Sequence, residues 1–412
     1  MADYWLEAVL PNGLRALLHP LPRTRTTTWG VFVNHGIRDE DPKTNGISHF
    51  LEHVVFNAQY RSQSDVAALV ARGSAAEAFT TKEYTEYLLT TMPEDSLAAL
   101  RGLGALVSSP DFDPEVVERE RPLIKEELNR FRTSPAVLNE LLENALFGDR
   151  SLGLFTLGTA ANVDAFTAEQ LERRHAQFYT PQRTTLVGEG PLEVEYTMDA
   201  VESVMGEWRR PPAWTPFPVF EDAPRVIGIP SPGPRVSVRL GFRGPGLTSP
   251  ERPAFALVAD ALGLGIGSRL SVALRDQEVL AYDIQASAVQ YGPVGYLKIS
   301  LTCDRAVAPR ALARVLDVVG GCHAGLDPLE LDRVRSLRTT ALLRQTGDAQ
   351  RMLAVIGKFA VNGLTFLVDA EVQSYGATTP PHTATVAQRY LTGDACAIVA
   401  LGLSTEDLLT GL

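Results

Sequence analysis

His49, Glu52 and His53 stand within one short stretch, Ser48-His-Phe-Leu-Glu-His-Val-Val-Phe56. The stretch is apolar, compatible with a helix and free of Gly and Pro. On a helix, residues three and four apart share a face. The two imidazoles can therefore converge on one metal ion, with Glu52 beside them. Neutral imidazoles suit Zn²⁺, and a nearby carboxylate that is not itself a ligand can act there as a base toward water. The order H-x-x-E-H is the inverse of the commoner H-E-x-x-H zinc motif. Two histidines one turn apart also fit a plain solvated helix face, so the metal reading requires a third ligand.

A zinc site with two helical histidines completes itself with a Glu, Cys or His from elsewhere in the chain. Glu118-Arg-Glu-Arg-Pro-Leu-Ile-Lys-Glu-Glu127 offers candidates. It lies in a long helix expected over 113–130, capped by Asp113 with Pro114 at its first position. Glu120 and Glu127 are two turns apart and share a face. Taken alone, a Glu-rich helix is a solvated face; its pairing with the His49–His53 stretch changes that reading.

With these residues in hand the chain resembles the M16 family of zinc metallopeptidases, inverzincins of the processing-peptidase and pitrilysin type. In that family H-x-x-E-H supplies two ligands and the base, and a Glu about 75 residues further on, in an E-R-x-x-x-x-x-E pattern, is the third ligand. His53 and Glu127 are 74 residues apart, and Glu120-Arg121 through Glu127 fits the pattern. The resemblance implies one Zn²⁺ per chain held by His49, His53 and Glu127, with Glu120 behind the ligands and Glu126 as the alternative ligand next door. Glu52 is then the base. Leu10-Pro-Asn-Gly-Leu14, Leu157-Gly-Thr159 and Tyr179-Thr-Pro181 match further family landmarks, so the resemblance covers nearly the whole chain. In the second half, Leu274-Arg275 and Leu280-Ala-Tyr282 match a segment whose Arg and Tyr help bind substrate and the tetrahedral intermediate. A cation and a phenol can donate hydrogen bonds to an oxyanion, which agrees with that role for Arg275 and Tyr282. Two departures stand out. Glu77-Ala78-Phe79-Thr80 replaces an Asn-Ala-x-Thr strand on which substrate pairs as an added strand; backbone pairing survives the change, and the Glu77 carboxylate repels acidic substrate. Gln277-Glu278-Val279 replaces a turn that normally contains Gly.

The elements that must position these residues follow from patterning. Strands are expected over 9–18 around a turn at 11–13, then over 26–34, 75–80 and 84–91, with helices over 62–72 (capped by Ser62), 93–108 and 165–179. Further segments are a strand at 184–187 and a helix at 194–208. Pro211 to Pro218 carries four prolines in eight residues and reads as an extended linker. Beyond it come a strand at 235–242, helices at 253–262 and 268–276, paired strands at 283–290 and 295–302, helices at 309–319 and 327–346, and a strand at 396–401. Strand, helix, strand pair, helix and long helix thus recur on both sides of the linker. The fold expected is α+β: two similar domains of ferredoxin-like αβ units, each an antiparallel-rich sheet packed against helices. Their limits are 1–210 and 223–412, joined by a linker at 211–222. Gly263-Leu-Gly-Ile-Gly267 sits between two helical segments rather than after a strand, so it reads as a turn and not a dinucleotide loop.

Bulk properties exclude other classes. The chain has 412 residues, a net charge of −11 and no Lys/Arg-rich run, which disfavours nucleic acid and anionic membrane as partners. Cys303, Cys322 and Cys396 are few and scattered, and are expected as free thiols. The N-terminus lacks a basic and an apolar region, and no run of eighteen apolar residues occurs, so a soluble cytoplasmic protein is expected. The function expected is zinc-dependent endopeptidase action on peptides or unfolded segments. The family encloses substrate between two halves built from four such domains, and this chain supplies two, so the resemblance implies a homodimer, with a heterodimer of a second M16-like chain as the alternative. The alternative functions are a heterodimer subunit that trims leader peptides, or a non-catalytic partner subunit.

Overall fold

The computed structural model describes residues 5–59, 64–211 and 223–410. Nearly all of the expected linker (212–222) lies outside the described residues, as does Ser62. The chain gathers into two compact units, and neither is continuous. The first is formed by Met1–Arg132, Leu154–Pro218 and Gln345–Leu367, the second by Thr133–Gly153, Val219–Arg344 and Val368–Leu412. The simple halves anticipated above therefore exchange two segments, residues 133–153 and 345–367.

In the first unit six strands form one sheet: β1 (Leu6–Val9), β2 (Arg15–Pro20), β3 (Thr27–Val33), β4 (Ala75–Thr80), β5 (Thr85–Thr91) and β6 (Thr184–Gly190). Their order is β1-β2-β6-β3-β5-β4, with β4 antiparallel to β5 at one edge. β3 lies at the centre because Thr-Thr-Trp-Gly-Val-Phe-Val is β-branched and aromatic and is buried along its whole length. Its alternating side chains serve two layers. Trp29, Val31 and Val33 join a core with α1 (Ile47–Gln59), α2 (Asp65–Ala71), α3 (Ser96–Ser108) and α4 (Pro114–Thr133). Phe32 faces the other way, onto the helix Ala349–Val361. A Cβ at Gly357 would come within 2.2 Å of the Phe32 ring, so that close approach requires glycine. Ser64, not Ser62, caps α2, its hydroxyl accepting from the Ala67 N–H at 3.2 Å.

In the second unit β7 (Val226–Ile229), β8 (Arg235–Pro245), β9 (Ala281–Gln290), β10 (Val294–Asp304) and β11 (Cys396–Leu401) run in the order β7-β11-β8-β10-β9. This is the order of β2-β6-β3-β5-β4, down to the one parallel pair, so the repeat read from the sequence is a repeat of topology. The helix α5 (Val137–Phe147) covers this sheet, and Glu143 on it accepts hydrogen bonds from the Tyr291 and Tyr296 hydroxyls. Cys303, Cys322 and Cys396 are free thiols. No helix among the described residues is long and apolar enough to cross a membrane. The fold class is α+β.

Candidate metal centre

α1 builds the centre by dividing its residues between two faces. Phe50, Leu51, Val54 and Val55 are fully buried in the core, and the 3.6-residue period leaves His49, Glu52 and His53 on the face toward α4. Carboxylate and imidazole groups that the sequence did not single out hold the start of α1. The Glu40 carboxylate accepts from the N–H groups of Gly46 and Ser48, both at 2.8 Å, and from the Asn45 amide at 2.9 Å. Ser48, the residue before the first histidine, bonds through its hydroxyl to His35 Nε2 at 3.1 Å, and His35 Nδ1 meets Asp39 at 3.2 Å. Ser, His and Asp here are all buried and serve as a brace. Burial drops His35 to about 4 and the nearby Arg174 adds to that, so its ring is neutral. Gly158 of the Leu157-Gly-Thr159 landmark lies against the same corner: a Cβ there would sit 2.4 Å from the Asn45 carbonyl.

The third partner comes from α4. Glu127 Oε2 lies 3.8 Å from His49 Nε2 and 3.4 Å from His53 Nε2. His49, His53 and Glu127 form a group whose ligand atoms all lie within 4.8 Å of one another. Zinc with N and O ligands at about 2.0–2.2 Å in tetrahedral geometry separates its ligand atoms by about 3.4 Å, so the residues present fit the ion. Glu126, one residue away, is exposed and outside the group. Glu120 is fully buried two turns before Glu127; its carboxylate accepts from Asn57 at 2.8 Å and lies 3.5 Å from His53 Nδ1. A carboxylate behind a ligating imidazole fixes the ring and raises its basicity.

The charges agree with a cation site. Burial pushes His53 down, but the Glu120, Glu127 and Glu52 carboxylates outweigh it and lift the ring to about 9. Burial and the neighbouring His53 drop His49 to about 3. Glu52 is raised to about 7 by burial, against the opposing pull of His53 and of the Thr80 hydroxyl, which donates to its Oε2 at 3.1 Å. Thr80 ends β4, the edge strand that also carries Glu77, Ala78 and Phe79. The water-activating candidate and the strand expected to align substrate are therefore in direct contact.

Arg275 and Tyr282 belong to the second unit. The helix expected over 268–276 is present and takes the π form over Ser271–Gln277, and Arg275 on it bonds to its neighbour Asp276 at 2.8 Å. Tyr282, near the start of β9, is 87% exposed. Both line one cleft of about 490 Å³ with Arg235, Asp283 and Asp304. Between them Val279 adopts φ 53°, a left-handed conformation that a β-branched residue rarely takes. Val279 is 83% exposed and has little packing to lose. Val279→Gly is therefore expected to raise stability by about 1 kcal/mol. Equilibrium urea unfolding measures this, and a lowered midpoint would contradict the strain.

The family profile described as Insulinase (Peptidase family M16) matches residues 15–160, and that described as Peptidase M16 inactive domain matches residues 165–337. An uncharacterized zinc protease of Streptomyces coelicolor is 30% identical over 332 residues, covering 78% of this chain and 71% of that one. Another, from Mycobacterium tuberculosis, is 29% identical over 367 residues and covers 86% and 83%. The beta subunit of the mitochondrial-processing peptidase of Saccharomyces cerevisiae is 27% identical, covering 72% and 68%. Among solved structures, a protease from Helicobacter pylori superposes with a TM-score of 0.87 at 18% identity, over 98% of this chain and 100% of that one. The chain belongs to peptidase family M16, a family of zinc proteases.

Proposed function

We propose that this chain is a zinc-dependent endopeptidase of the cytoplasm that cleaves peptides or unfolded protein segments. The observation that carries the proposal is the convergence of His49, His53 and Glu127 with the buried Glu52 beside them. His49, His53 and Glu127 would hold Zn²⁺, which when bound acts as a Lewis acid and lowers the pKa of water. Glu52 accepts the proton of the attacking water and delivers it to the leaving amine. The Thr80 hydroxyl orients that carboxylate. The free edge of β4 offers backbone N–H and C=O groups to an extended substrate, which selects unfolded over folded chains. A non-catalytic partner subunit would not need this full set of groups.

The metal centre is built wholly within the first unit, and Arg275 and Tyr282 wholly within the second. We place the donors to the carbonyl oxygen in a dimer, where Arg275 and Tyr282 of the partner subunit face each metal centre. Complementation tests this. Glu52→Gln alone, and Arg275→Ala with Tyr282→Phe alone, are each expected to be nearly inactive. Mixed and exchanged, they regain one whole site in every mixed dimer, about a quarter of wild-type activity for random pairing in a two-fold dimer. Mixed dimers without returned activity would overturn this arrangement. A wild-type chain that cleaves only with a second M16-like chain would favour the heterodimer.

A further inference from the structure

The face of β4 turned away from the metal centre carries a second acidic pair. Side chains alternate along a strand. Ala76 and Ala78 pack toward the core that includes α1, and Thr80 reaches Glu52, so Glu77 and Phe79 occupy the opposite face. The register sets Phe79 beside Glu86 and Glu77 beside Leu88 on β5, which makes Glu77 and Glu86 diagonal neighbours on one face. Glu86 is only 6% exposed, and its Oε2 is buried with no hydrogen-bond partner among the described residues. Burial and the Glu77 carboxylate raise Glu86 to about 7. An unpartnered buried carboxylate is costly and calls for a partner that arrives from outside the fold. A metal ion is a poor candidate: the group of His49, His53 and Glu127 alone, among the described residues, has the ligands for one.

We propose that Glu77 and Glu86 form a specificity pocket for a Lys or Arg side chain of the substrate, within two residues of the cleaved bond. A peptide added to the β4 edge turns alternate side chains to this face. The half-exposed ring of Phe79, between that edge and Glu86, offers an apolar bed for the stem of a long basic side chain, whose terminal donors then reach the two carboxylates. Glu77 and Phe79 stand on the strand whose last residue, Thr80, donates to Glu52, so a substrate paired on that edge is held beside both the pocket and the base. Glu77 alone would be a rim charge at an edge strand; Glu86 gives the pocket a desolvated floor, where a charge pair discriminates strongly.

This inference rests on the peptidase reading, and the experiment separates the two. The zinc-loaded full chain is given unstructured peptides, the cleaved bond is located, and each of the two residues on either side is varied among Lys, Arg, Leu and Glu. At one position the kcat/KM for Lys or Arg is expected to exceed that for Leu by about 30-fold or more. In Glu86→Gln, and independently in Glu77→Gln, that ratio is expected to fall at least about tenfold. Zinc content and circular dichroism identify a variant that has lost its fold, and Glu77, less buried than Glu86, provides the variant least prone to that. A wild-type ratio near one at every position, or an unchanged ratio in both folded variants, overturns the pocket. A wild-type chain that cleaves no peptide overturns the peptidase reading and takes this inference with it.

Discussion

Replacing Glu52 with Gln is expected to lower peptide cleavage by about 10²–10⁴-fold while the chain keeps its zinc. Gln preserves the size of the side chain and can still accept from the Thr80 hydroxyl, but it cannot take a proton. Glu52 is not among the groups that would ligate the metal, so metal content separates loss of a base from loss of a site. Retention of most activity in Glu52→Gln would remove Glu52 from the mechanism. The pH dependence follows from the same group. Glu52 works only when deprotonated, and burial raises it to about 7, so kcat/KM is expected to rise with pH toward neutrality and then level off. A bound cation favours the charged carboxylate and shifts that rise to lower pH.

Loss of ligands is expected to have the second large effect. In His49→Ala/His53→Ala, zinc should fall from about one ion per chain to near zero, and cleavage with it. Glu127→Gln should weaken retention, and Glu126→Gln should not, because only Glu127 approaches both imidazoles. Acid should release the metal as well. His53 must be neutral to ligate, and its carboxylate neighbours hold a proton on the ring up to about 9, so protons compete with the ion and the competition strengthens as pH falls. Full zinc occupancy in the double histidine variant would place the metal elsewhere.

The parts of this site that the sequence revealed are those whose chemistry is local. His49, Glu52 and His53 share one helix face by periodicity alone, and Glu120 and Glu127 share another. The choice of Glu127 over Glu126 came from the resemblance, and in the structure it is the orientation of α4 toward α1 that separates them. The brace of Glu40, Asp39 and His35 stayed hidden because its members sit in a polar loop, where charged residues are ordinarily solvated. Glu86 stayed hidden too, since a Glu in a strand is exposed or buried according to which neighbours cover it. The exchange of residues 133–153 and 345–367 had no local signal: amphipathic patterning says that a helix such as α5 buries a face, not which sheet that face will meet. Val279 is the converse case, a substitution visible in the sequence whose meaning lies in a φ of 53°.

The zinc-peptidase assignment is tested by cleavage of an unstructured peptide mixture by the wild-type chain, followed by mass spectrometry before chelation, after removal of metal, and after stoichiometric zinc is returned. The zinc-peptidase assignment requires cleavage at the outset, its loss when the metal is removed with the fold retained, and recovery at about one zinc per chain. Cleavage that persists in the metal-free chain, or an absence of cleavage with zinc bound at His49, His53 and Glu127, would contradict it.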